Sequence, residues 1–241
     1  MFDLTGKKAL ITGSSQGIGL AAAQTLAAAG ATVYINGSGR EKVLAAVEKV
    51  PGALPAVCDL GEGDCAEKLY RITGDIDILV SNASVQYRKP WDAITEEEFD
   101  RQMNVNFKAP LKLIQTYAPH MLEQKWGRII TVGSVQQRKP HKDMLVYAAS
   151  KAAQVNMVKN LAKQFAPCQV TVNNVAPGVI GTPRNDAALA DEAYKAQILR
   201  GIPGGSIGRP EDLSALILLL CCEAGGYITG EDIFVDGGMQ L

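Results

Sequence analysis

The chain has 241 residues, with 24 Lys+Arg against 25 Asp+Glu and a formal net charge of −1, so no bulk positive field draws nucleic acid or an anionic membrane. A composition of 47% hydrophobic and 20% charged residues excludes intrinsic disorder. The longest apolar run, Ala215 to Cys222, is far short of the roughly 20 residues of a membrane span.

Strand-like and helix-like segments alternate along the chain. Lys8 to Thr12 is a short apolar run ending at Gly13, and residues 17–29 form an Ala-rich helix closed by Gly30. Thr32 to Asn36 reads as a second strand, and Val43, Leu44, Val47 and Val50 fall at helical spacing. Ala56 to Asp59 is a third strand and Ile76 to Ser81 a fourth. Thr95 with Glu98 forms a capping box that predicts one long helix to about Glu123. Gly127 to Gly133 is a fifth strand, followed by a helix from Tyr147 to Phe165 and a sixth strand from Val170 to Val175. Residues 181–209 have weak pattern, with one helix-like piece from Ala187 to Leu199, and are expected to form a substrate lid. Pro210 opens a helix through Cys222, and Asp232 to Val235 is a seventh strand.

Apolar strands separated by helices predict an α/β fold: a doubly wound, Rossmann-type, seven-stranded parallel sheet with helices on both faces. Length alone suggests about 1.6 domains. With no linker or repeat, the expectation is a single domain, residues 1–241, that carries cofactor and substrate sites together.

Gly13-Ser14-Ser15-Gln16-Gly17-Ile18-Gly19 joins the first strand to the first helix. Glycines there permit a tight turn and close backbone approach to a pyrophosphate, which the helix N-terminus attracts. At the end of the second strand, Asn36-Gly37-Ser38-Gly39-Arg40 lacks the acid that binds a free ribose 2′-hydroxyl. Ser38 with Arg40 or Lys42 suits a 2′-phosphate, so NADP(H) is expected over NAD(H), with Gln16 standing where a further basic residue would have strengthened the case.

Tyr147 and Lys151 lie four residues apart on one helix face. Free tyrosine, with a pKa of about 10, is a poor base at neutral pH, and an ammonium beside it favours the phenolate. The pair is thus suited to proton transfer, and Ser134, at the end of the fifth strand, to stabilising a substrate oxygen.

These motifs together resemble the short-chain dehydrogenase/reductase family, in its single-domain branch, over essentially the whole chain. They include Asp59-Leu60, Ser81-Asn82-Ala83, Asn106, Ser134, Tyr147 through Lys151, Pro177-Gly178 and Val235-Asp236-Gly237-Gly238. The resemblance implies an oxidoreductase that exchanges a hydride between a nicotinamide cofactor and a carbonyl or secondary alcohol. It implies that Asn106, Ser134, Tyr147 and Lys151 are catalytic, with Asn106 holding a water and Lys151 the ribose hydroxyls. It also implies that Asp59 contacts the adenine, that Asn82 supports the sheet, that Val179 and Ile180 face the carboxamide, and that Thr182 faces the phosphates. Ser84 stands where the family usually has glycine.

Gln86, Arg88, Gln136, Arg138 and His141 are candidate substrate residues. Their polar, basic loops suit a sugar, polyol or hydroxy/keto acid; the same charges read equally well as solvated loop residues. A 3-oxoacyl-[acyl-carrier-protein] reductase is the second reading, although Pro167-Cys168-Gln169 lacks the basic docking residue usual in that branch. A non-catalytic NADP-binding regulator is the third. Two separated histidines and five cysteines without C-x-x-C spacing predict neither a metal site nor a disulfide framework. The N-terminus shows no signal-peptide pattern, and the expected location is the cytoplasm. The resemblance implies a homotetramer, paired through the helices around 97–123 and 147–165 and through the C-terminal strand.

Overall fold

The computed structural model describes residues 1–241 except the side chain of Ala187, where the helix-like piece of the 181–209 segment begins. The first half of the chain gives β1 (Lys8–Ile11), α1 (Gly17–Ala28), β2 (Thr32–Gly37), α2 (Arg40–Val47), β3 (Leu54–Val57), α3 (Cys65–Thr73) and β4 (Ile78–Ser81). The second half gives α4 (Glu96–Met103), α5 (Ala109–Glu123), β5 (Gly127–Val132), α6 (Leu145–Phe165), β6 (Val170–Pro177), α7 (Asp186–Leu189), α8 (Glu192–Arg200), α9 (Pro210–Cys221) and β7 (Asp232–Val235).

All seven strands are parallel and lie in the order β3-β2-β1-β4-β5-β6-β7. Every residue of β4, β5 and β6 is buried, as expected of central parallel strands covered on both faces, and the polar residues among them, such as Asn173 and Asn174, are hydrogen-bonded inside. One core packs Leu26 of α1, Val43 of α2 and Leu213, Ile217 and Leu220 of α9 on one face of the sheet. A second packs Leu69 of α3, Leu113 of α5 and Val158 of α6 on the other. The winding reverses between β1 and β4, and ligands bind beyond the carboxyl ends of strands at such a point in open α/β sheets.

Three helical segments depart from the sequence expectation. The single helix read from Thr95 to Glu123 is interrupted by a π-turn at Asn104–Lys108, which separates α4 from α5. The capping box at Thr95 and Glu98 does form. Helix α3 was not anticipated; its buried stripe of Cys65, Ala66, Leu69 and Thr73 is small and set among charges. The piece read as one helix from Ala187 to Leu199 is two, broken where Asp191 caps α8. No described helix is long and apolar enough to cross a membrane.

Candidate active site

A cleft of about 410 Å³ runs along the carboxyl ends of the strands. Its floor is the turn between β1 and α1. Gly13 has φ +62°, and a Cβ there would meet the Ala83 Cα at 2.8 Å. A Cβ on Gly19 would meet the Asn82 Nδ2 at 2.5 Å, so that glycine permits close packing beneath the cleft without lining it. The Asn82 amide explains the crowding: it donates to Thr12 O at 2.9 Å and to Gly13 O at 3.0 Å, which ties β4 to the turn. Asn36 is buried and closes the other side. Its Nδ2 donates to Ala56 O at 2.9 Å and Cys58 O at 3.1 Å, and its Oδ1 accepts from the Gly13 N–H at 3.3 Å.

The first turn of α1 carries no acidic residue, and Gln16 at its N-cap makes no side-chain cap hydrogen bond. Its leading N–H groups therefore face the cleft with their donor capacity and positive dipole end available, which fits a dinucleotide pyrophosphate. Ser15, Gln16, Gly17 and Ile18 line this part of the cleft, as do Gly37, Ser38 and Lys42. Arg40 does not: it is the exposed first residue of α2 and lies outside.

Asp59 and Leu60 border the far end. Desolvation opposes the charge on Asp59, but the Gly61 N–H at 2.8 Å and both contacts from Arg101, at 2.8 and 2.9 Å, outweigh it, so the carboxyl sits below its ordinary value. Nothing within α4 in the sequence signals that Arg101 has a partner so distant in the chain.

At the other end stand Ser134, at the end of β5, and Tyr147, in the first turns of α6. Both are nearly buried yet line the cleft. Ser134 Oγ accepts from the Gln136 N–H at 3.2 Å, which fixes its position and leaves its proton to donate. Lys151 lies behind Tyr147, with its Nζ 5.7 Å from the ring centroid. That nitrogen donates to Val132 O at 2.7 Å and Gln154 Oε1 at 3.1 Å. Burial, and then the charge of Arg184, pull the Lys151 pKa down to about 7.

Asn106 sits in the π-turn, fully buried. Its amide accepts from the Val85 N–H at 2.8 Å and donates to Val85 O at 2.9 Å and Ser150 Oγ at 3.1 Å. It anchors the loop after β4 to α6; both amide hydrogens are used, and Oδ1 keeps one acceptor position.

Pro177, Gly178, Val179, Ile180 and Thr182 form the wall beyond β6, and Gln86, Arg88 and Gln136 line the mouth. Two of the residues read as substrate contacts lie elsewhere. Arg138 turns away, because Asp232 at 3.5 Å and the Phe234 ring at 4.6 Å hold it beside β7. His141 accepts from the Asp143 N–H at 3.1 Å and does not border the cleft. In their place stands Arg184, between β6 and α7.

The chain matches the short chain dehydrogenase family over residues 7–193. It is 35% identical to the 3-oxoacyl-[acyl-carrier-protein] reductase of Aquifex aeolicus, with 98% of each chain covered. It is 36% identical to 3beta-hydroxysteroid dehydrogenase 1 of Eggerthella lenta, covering 99% of this chain and 95% of that one. A solved gluconate 5-dehydrogenase from Burkholderia cenocepacia, in complex with NADP and tartrate, superposes with a TM-score of 0.91 at 33% identity, covering 99% of this chain and 96% of that one. Fold, site order and similarity agree, and the chain belongs to the short-chain dehydrogenase family of oxidoreductases.

Proposed function

We propose that the protein transfers a hydride between NADP(H) and the carbonyl or secondary alcohol of a polar small molecule, such as a sugar, polyol or hydroxy/keto acid. The observation that carries this reading is one cleft that brings Tyr147 and Ser134 to the end of a glycine cradle, with Lys151 buried behind them. The 13–19 turn, Asp59 and Leu60, Asn82 and Ala83, and the 177–182 wall would hold the cofactor, which supplies or accepts the hydride when bound. Ser134 donates a hydrogen bond to the reacting substrate oxygen. Tyr147 gives that oxygen its proton in reduction and removes it in oxidation. Lys151 packs behind the Tyr147 ring, with its amine held by Val132 O and Gln154 Oε1.

Preference for NADP(H) is supported by the absence of an acid at Gly37 and by Ser38 and Lys42 at the cleft wall, and the Burkholderia cenocepacia relative contains NADP. The acyl-carrier reading has the Aquifex aeolicus relative in its favour, but Ala166–Cys168, just before β6, offers no cation for an acidic carrier. We further infer a cytoplasmic homotetramer of one-domain subunits, with residues 181–209 acting as the lid. Reduction of a simple diketone, followed with NADPH and with NADH, tests the core of the reading. Turnover with a higher kcat/KM for NADPH is expected. No consumption of either cofactor refutes the enzyme, and a clear NADH preference refutes the cofactor assignment.

A further inference from the structure

Arg184 has an unusual setting for a cation. Its Nη1 donates to Ser84 Oγ at 2.9 Å and its Nη2 to Ser84 O at 2.6 Å, so it bridges the cleft mouth from the segment after β6 to the turn after β4. Both acceptors are neutral. Among the described residues neither Arg184 nor Arg88 has a carboxylate partner; Arg88 donates only to the Tyr194 hydroxyl, at 3.2 Å. The one carboxylate that borders the cleft, Asp59, is at the opposite end and paired with Arg101. Beside Ser134, the Gln136 Oε1 is buried and accepts no hydrogen bond. The mouth therefore holds two guanidinium groups without a carboxylate partner and one unused acceptor, in the cleft that Tyr147 also lines.

We propose that Arg184, assisted by Arg88, determines substrate specificity by taking the carboxylate of an anionic polyhydroxy substrate. A guanidinium fork binds a planar carboxylate through two parallel charge-assisted hydrogen bonds, which are stronger than those it makes to a serine. The carboxylate displaces the Ser84 contacts, and a substrate hydroxyl donates to Gln136 Oε1. The assignment rests on the reductase reading above and narrows its substrate class.

The test uses diketone reduction as the reporter and two six-carbon inhibitors, gluconate and glucitol, that differ in one carboxylate. In the wild type gluconate is expected to inhibit at least about tenfold more strongly than glucitol, as a hydrogen bond to a charged group implies. In Arg184→Met that ratio is expected to fall to near one. Equal inhibition by the two compounds in the wild type overturns the proposal, as does a ratio that survives in R184M. A raised KM for NADPH in R184M with the inhibitor ratio unchanged also overturns it, since the arginine then serves a cofactor phosphate. Loss of all diketone reduction in R184M does the same, because the arginine then serves the reaction itself. Failure of the wild type to reduce the diketone is a different result and sinks the reductase reading instead.

Discussion

Lys151 is 1% exposed, and its pKa falls from an ordinary 10.5 to about 7. Between those values the unfolded chain holds a proton that the folded chain lacks. Stability from this group therefore rises with pH across the window; below it both states are protonated, and above it neither is. Linkage puts the gain between about pH 7.5 and about pH 9.5 at about 2–3 kcal/mol. Lys151→Met keeps the apolar stem and removes the titration. Urea unfolding of both proteins at one concentration, across that window, isolates the effect. The stability of the wild type minus that of K151M is expected to rise by about 2–3 kcal/mol. A difference flat to within about 0.5 kcal/mol refutes the burial argument, since it means the amine titrates alike in both states. K151M should also lose turnover, because the amine behind Tyr147 is gone.

Tyr147→Phe is expected to lower kcat by about 10²–10⁴-fold, the range for a lost acid–base group, with NADPH binding by fluorescence titration unchanged; near-normal kcat would remove Tyr147 from the mechanism. Gly13→Ala places a Cβ in the left-handed region, costing about 1–2 kcal/mol, and drives it onto the Ala83 backbone at 2.8 Å. A lower thermal midpoint and weaker NADPH binding are the expected readouts. Asn106→Ala leaves the Val85 N–H and C=O without their partners and should cost about 1–3 kcal/mol in urea unfolding. If Asn106 instead acted only on bound substrate, kcat would fall with stability untouched.

Much of the cofactor end was legible in the sequence because its signals are local. The turn from Gly13 to Gly19 needs only adjacent strand and helix patterns, and Tyr147 with Lys151 needs only helical spacing. The path of the chain around Asn106 was not legible. The π-turn is sustained by the Asn106 amide reaching Val85 and Ser150, 21 and 44 residues away, and no periodicity within 95–123 records that demand.

The loop arginines show where sequence reasoning stops. Arg138 and Arg184 both follow strand ends on the ligand edge, and spacing gives them equal claims to the substrate. A long guanidinium stem goes where it finds charge or acceptors, and those come from other parts of the chain. Arg138 meets Asp232 of β7, and Arg101 meets Asp59; each pair largely cancels its own field. Arg184 meets Ser84, the residue standing where the family usually carries glycine, and a serine contributes a hydroxyl without a charge. Its positive field is therefore left intact inside the cleft, where it already reaches Lys151. The departure at Ser84, which the sequence presents as a small loss of backbone freedom, thus fixes a cation at the mouth of the cleft.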